Sequence, residues 1–214
     1  MKTSHKALTV LFSILILITI VSCNTGTIVY GEPSESDVVL IFYPGGNVNP
    51  DAYEDLCNSL AENGIPVIVA GMPMNLAVFG INRASRIIRD YPDVDRWYIG
   101  GHSLGGAVAA LWAAKYQDDV EGVIFLAAYS NRDLSVPVLS IYGSNDGVLD
   151  MKSYRKNLGR LSDVKEYVIE GGNHCQFGSY GFQKGDNEAV ISHDEQISRT
   201  VSFILAFIKG ERLK

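Results

Sequence analysis

From residue 38 onward, short apolar runs rich in β-branched residues alternate with longer stretches in which apolar positions recur every three or four residues. The runs at 38–43 (VVLIFY), 65–70 (IPVIVA), 96–99, 120–127 (VEGVIFLA), 136–142 (VPVLSIY) and 164–169 predict strands. The run at 38–43, apolar throughout, reads as a strand covered on both faces. The stretches between and after them predict helices over 51–63, 75–90, 103–116, 151–161 and 192–208. In the first of these, Tyr53, Leu56, Leu60 and Ala61 share one face, Asn49 or Asp51 stands where a cap is needed, and Asn63-Gly64 ends the pattern. Regular strand–helix alternation predicts a mostly parallel central sheet with helices on both faces, joined by right-handed crossovers. The fold class is therefore α/β, with one domain over residues 37–214 and no internal repeat.

The first 22 residues follow a different pattern. Lys2 and Lys6 precede an uncharged apolar run at 7–21 (ALTVLFSILILITIV), which is the layout of a secretory signal. The run is shorter than the roughly 20 residues a bilayer span needs. It ends in Ile20-Val21-Ser22-Cys23, which resembles the lipobox of bacterial lipoproteins, where the cysteine is lipidated. Three outcomes stay open: lipidation at Cys23, cleavage without a lipid, or an uncleaved anchor. Export, either secreted or held at the cell membrane by an N-terminal lipid, is the expectation they share. Residues 23–36 are polar and read as a tether, with a short strand at 27–30.

Charge narrows the partners. The formal net charge is −6, and it falls to −8 when Lys2 and Lys6 leave with residues 1–22. No run of Lys or Arg exists, so nucleic acid is excluded as a partner. Beyond Cys23, only Cys57 and Cys175 remain, without metal-site spacing. They read as buried small residues or free thiols rather than a disulfide framework.

The sharpest chemical signal is Gly100-Gly101-His102-Ser103-Leu104-Gly105-Gly106, a Gly-x-Ser-x-Gly motif lying between a strand and an alanine-rich helix. It resembles the nucleophile elbow of α/β-hydrolases, a tight strand-to-helix turn that exposes the serine. A hydroxyl attacks only if a base takes its proton and a third group holds that base in the right tautomer. In such folds the acid and then the histidine follow the serine along the chain. Asp146 lies in the turn after the strand at 136–142; Asp150 and Asp133 are the alternatives. His174, in Gly171-Gly172-Asn173-His174 after the last strand, is the base, with Asn173 placed to hold the loop. His102 adjoins the serine and reads as structural or pocket-lining, and His193 as a surface residue at a helix start. An oxyanion needs backbone N–H donors. Leu104 is one, and Gly46 in Pro44-Gly45-Gly46-Asn47 the other, with Asn47 next.

With these features in order, the chain resembles the α/β-hydrolase superfamily from about residue 36 to the end. More narrowly it resembles the bacterial α/β-hydrolase fold-5 group, related to dienelactone hydrolases and small carboxylesterases. The segments 43–53 (YPGGNVNPDAY), 70–80 (AGMPMNLAVFG), 100–110 (GGHSLGGAVAA), 126–130 (LAAYS), 142–147 (YGSNDG) and 171–187 (GGNHCQFGSYGFQKGDN) carry the likeness. Dienelactone hydrolases use a cysteine where this chain has Ser103, which favours a general esterase acting on a small-molecule ester without metal or cofactor. Many such enzymes insert a cap where this chain has only residues 128–135, so an open site without a cap domain is expected. Met72, Leu76, Phe177 and Tyr180 then supply apolar substrate-binding walls. The alternatives are a catalytically silent exported binding or sensor protein, a thioesterase or an acyltransferase; peptide cleavage fits less well.

Overall fold

The computed structural model describes residues 26–211. The expected signal at 1–22 and the expected lipidation residue Cys23 lie outside them. Seven strands form one sheet: β1 (Ile28–Tyr30), β2 (Val38–Tyr43), β3 (Val67–Val69), β4 (Arg96–His102), β5 (Gly122–Leu126), β6 (Val138–Gly143) and β7 (Val164–Ile169). Their spatial order is β1-β3-β2-β4-β5-β6-β7. All neighbours pair parallel except β1, which runs antiparallel to β3. Residues 28–30 of the expected tether are thus an edge strand of the domain. Tyr30 closes part of the core there.

Along β2, side chains alternate between two cores, as a pleated strand requires. Leu40 and Phe42 face α1 (Glu54–Glu62) and the closing helix at residues 193–209, packing with Leu56, Leu60, Ile204 and Phe207. Val39, Ile41 and Tyr43 face the helices α2 (Arg83–Asp90) and α3 (Leu104–Ala113), packing with Ala84, Ile87, Val108 and Trp112. Helix α4 (Met151–Leu158) packs beside β6 and β7, where the buried Tyr154 hydroxyl meets Ser140 Oγ at 2.8 Å and Glu166 at 2.9 Å. The closing helix, α5 (His193–Lys209), has Ser192 as its N-cap, accepting the Glu195 N–H, and Gly210 as its left-handed C-cap. No helix lies between β5 and β6, where a cap would be inserted.

Three expectations change. The helix expected over 75–90 is helical only from Arg83; before it stand two 3-10 turns, Pro73–Asn75 and Ala77–Phe79. Tertiary bonds claim the backbone that a helix would use. The Asn75 carbonyl accepts the Asn47 N–H, and the Tyr43 hydroxyl accepts the Ala84 N–H while donating to the Ile81 carbonyl. The helix expected from 51 opens as a 3-10 turn, Pro50–Tyr53, and neither Asn49 nor Asp51 caps it. Strand β4 runs on to His102, three residues beyond expectation, because Gly100 and Gly101 fit where a Cβ would collide with Ile124 and with the Tyr43 carbonyl. Cys57 and Cys175 are free, buried thiols.

Phe125, fully buried in the interior strand β5, sets a test of this core. Phe125→Ala is expected to cost about 3–5 kcal/mol, read as a lower urea midpoint with unchanged slope.

Candidate active site

The carboxyl ends of β2, β4, β6 and β7 converge on one face, the usual location of sites in open parallel sheets. There the backbone is strained. Ser103, between β4 and α3, has φ 52° and ψ −122°. Among the described residues, the other non-glycine positions with positive φ are Asn47, Met74, Asn75 and Ala127, all on loops at this same end. Such strain persists only where the surroundings over-determine it, and it concentrates at working sites. Around Ser103 the constraint is visible atom by atom. A Cβ on Gly105 would lie 2.1 Å from the Tyr43 carbonyl oxygen and 2.3 Å from that of Pro44, and one on Gly101 would lie 2.5 Å from the Tyr43 oxygen. Only glycine lets the first turn of α3 press against the end of β2.

Asp146 and His174 meet. Asp146 Oδ2 lies 2.8 Å from His174 Nδ1, and each side chain is 1 % exposed. The carboxylate is held by its own turn, Oδ1 accepting the N–H groups of Val148 and Leu149 at 2.8 Å each. With Nδ1 committed, Nε2 is the ring nitrogen left over, and it is buried without a hydrogen-bond partner among the described residues. Ser103 and His174 line one cavity of about 440 Å³. The serine hydroxyl is not hydrogen-bonded to the imidazole, a looseness common before substrate closes such contacts. The rival acids are occupied elsewhere. Asp150 caps α4 through the Lys152 and Ser153 N–H groups, and Asp133 pairs with Arg160 at 2.7 Å on the surface. His193 starts α5 and pairs with Asp55.

Between β2 and α1, the Gly45 N–H donates to the Tyr53 hydroxyl and the Asn47 N–H to the Asn75 carbonyl. The Gly46 amide stands between these two committed donors, and a Cβ on Gly46 would lie 3.1 Å from the Leu104 side chain. Gly46 and Leu104, at the unsatisfied N-terminus of α3, are therefore neighbours.

The expected walls are a correction. Met72 and Phe177 are 3 % and 0 % exposed and belong to the cores, Met72 beneath Gly80 and Phe177 against the His102 ring. Leu76 borders Gly46, and Tyr180 lies near His102, both half-buried. None of the four lines the cavity that holds Ser103. Its apolar lining comes instead from Leu104, Ala107 and Leu111 of α3 and from Val148 and Leu149. Tyr129, Asn131 and Asp150 supply polar groups. Helix α3 turns a residue every 3.6 toward the cavity, a consequence of docking rather than of local pattern.

Three supporting residues escaped sequence reasoning. Tyr53 reaches His102 Nδ1 at 2.9 Å. The same hydroxyl accepts the Gly45 N–H, so Tyr53 ties the Gly45 loop to His102. His102 is buried beside His174, ring centroids 4.6 Å apart. Burial, and then the neighbouring His174, push its pKa well below the usual imidazole value. Asp186 accepts the N–H groups of Gly147 at 3.0 Å, Cys175 at 2.9 Å and His174 at 3.3 Å, tying the Asp146 turn to the His174 loop. Burial alone would raise its pKa, but these donors outweigh it and hold the carboxyl low. Gln196 of α5 brackets Asn173, accepting its N–H and donating to its carbonyl. Asn173 in turn holds the loop as expected, donating to the Asn187 carbonyl and accepting the Gln176 N–H.

Residues 39–198 match the model of the alpha/beta hydrolase family, and the chain belongs to that family. A protein of Mycobacterium phage D29 named for non-heme haloperoxidase activity is 28 % identical over 103 residues. That match spans 44 % of this chain and only 37 % of the phage protein. Among solved structures, Est1E from Butyrivibrio proteoclasticus with bound ferulic acid superposes with a TM-score of 0.67 at 15 % identity, covering 86 % of this chain and 95 % of its own. A monoacylglycerol lipase from Paleococcus ferrophilus gives 0.66 at 14 % identity, covering 85 % and 98 %. Thermogutta terrifontis esterase 2, phosphoramylated by tabun, gives 0.63 at 14 %, covering 87 % and 90 %. At these identities the likeness is one of fold.

Two outcomes check the supporting residues. Asp186→Asn turns an amide NH₂ toward buried N–H donors and is expected to cost about 1–3 kcal/mol, measured by urea unfolding. Below the ordinary imidazole value of 6.5, an unfolded chain protonates its histidine while buried His102 stays neutral. The unfolded state then binds more protons, so stability falls as pH drops from 6.5 toward 5. His102→Gln should flatten that part of the Tm–pH curve.

Proposed function

We propose that this chain is a serine hydrolase that cleaves a carboxylic ester through an acyl-serine intermediate. The observation that carries the reading is the buried 2.8 Å Asp146–His174 pair facing the cavity of the strained Ser103. In the proposed reaction His174 Nε2 takes the Ser103 proton as Oγ attacks the ester carbonyl carbon. The oxyanion that forms is held by the Leu104 and Gly46 N–H groups. The imidazolium, oriented by Asp146, gives its proton to the leaving alkoxide as the C–O bond breaks. Water then attacks the acyl-serine, losing its proton to His174. The acid departs as that proton returns to Ser103.

The apolar lining of Leu104, Ala107, Leu111, Val148 and Leu149 suits a neutral hydrocarbon group on the substrate. Support also comes from the fold neighbours: one is a monoacylglycerol lipase, another an esterase phosphoramylated by tabun. A thioester or a second alcohol as acyl acceptor would use the same steps. We place the chain outside the cytoplasm, on the N-terminal signal pattern.

A fluorophosphonate probe is expected to label the wild type, and Ser103→Ala is expected to abolish labelling. The same variant should lower kcat on a chromogenic ester by at least ~10³-fold while leaving the melting curve in place. A folded wild-type protein that takes no label would point to the silent binding reading.

A further inference from the structure

Because β1 runs antiparallel to β3, with Ile28 opposite Val69, the chain meets the sheet at the end where β3 finishes. Thr27 Oγ1 accepts the Gly71 N–H at 3.3 Å there. This is the end that carries Ser103 and His174. The described chain therefore enters the fold at the rim of the candidate active site, not at the far side of the molecule.

A second observation falls on the same end. Among the described residues seven large apolar side chains are exposed, and five of them occupy loops that follow β3 and β7. Met74, Val78 and Phe79 are 71 %, 50 % and 58 % exposed; Phe182 and Val190 are 64 % and 79 % exposed. The first group adjoins the Gly46 loop through the Asn47–Asn75 hydrogen bond. The second adjoins His174: Phe182 shares a cavity with Asn173 and Cys175, and the Val190 N–H donates to the Gly171 carbonyl. Apolar groups thus flank the site on both sides.

We propose that this face docks on a phospholipid bilayer, so that the site opens toward the membrane and takes esters carried in it. One weak hydrophobic attachment gives only reversible membrane binding, and a second signal is needed to hold a protein in one orientation. The flanking side chains would be one signal and an N-terminal attachment the other, the described chain entering at the same rim. No helix among the described residues is long and apolar enough to cross a membrane. The formal charge of −6 assigns the attraction to apolar contact rather than to anionic headgroups. The substrate part of the proposal rests on the hydrolase reading above; the docking part does not.

The test uses the full chain and vesicles of phosphatidylcholine containing a dibrominated phosphatidylcholine, whose bromines quench tryptophan only within the bilayer. Native Trp97 and Trp112 are 5 % and 1 % exposed and stay silent. Phe79→Trp is expected to be quenched, and Asp93→Trp, in the loop before β4 at the opposite end, is not. Adding phosphatidylglycerol should not strengthen binding. The Met74→Ser, Val78→Ser, Phe79→Ser triple variant should keep its kcat/KM on a soluble short-chain ester and lose about tenfold on the same acyl group presented in vesicles. Equal quenching at 79 and 93, no quenching at 79, or undiminished vesicle activity in the triple variant would each overturn the proposal. So would concentration-dependent self-association that the triple variant abolishes, since a second copy would then cover the face. A wild type inactive on the soluble ester would instead strike the hydrolase reading, leaving the quenching result to judge docking alone.

Discussion

The site depends on the contact between the end of β2 and the first turn of α3. There the Tyr43 and Pro44 carbonyls approach Gly101 and Gly105 so closely that no Cβ fits between them. The approach forces Ser103 into a positive-φ turn, a conformation that costs of order 1–3 kcal/mol. The energy is supplied by the surrounding sheet. Val39, Ile41 and Ile99 are fully buried, and Ser103 N–H is bonded to the Leu126 carbonyl of the next strand. A rigid parallel sheet can hold a strained corner that a free loop would relax.

Around that corner the same logic repeats with polar groups. Asp146 and His174 come from turns after β6 and β7, and turns are the least rigid parts of a fold. Here each turn is tied down. Asp186 accepts amides from both, Gln196 clamps Asn173 from α5, and Tyr53 links the Gly45 loop to His102 beneath the imidazole of His174. All of these bonds are buried except the part-buried one from the Gly147 N–H, and in such places an unmade partner is expensive. The result is a pre-set arrangement at the strand ends, while the cavity beside it stays open and apolar.

Much of this was legible from local pattern. The bounds of β2 are those its apolar run indicates, because a strand buried on both faces must be apolar throughout; β7, at the sheet edge, keeps its expected bounds with Lys165 and Glu166 exposed. The glycines around Ser103 signal a tight turn, and the positions of Asp146 and His174 after successive strands signal convergence. The pattern misled where tertiary contacts overrule it. Residues 75–82 have the composition of a helix, yet Asn47 and Tyr43 take their backbone partners. Met72 and Phe177 follow strand ends as pocket walls should, yet both turn inward to the core. Asp186, in Gly185-Asp186-Asn187, reads as an ordinary turn residue, and its partners stand up to 39 positions away in sequence.

The sequence by itself determined the α/β class, the strand order along the chain and the residue types at the strand ends, since these follow from periodicity and from the steric need for glycine. Only the tertiary structure decided which acid meets His174, which amides stay uncommitted beside Ser103, and which side chains line the cavity. Those are matters of distance between segments far apart in the chain. They are set by how helices dock on a twisted sheet, which no local pattern encodes.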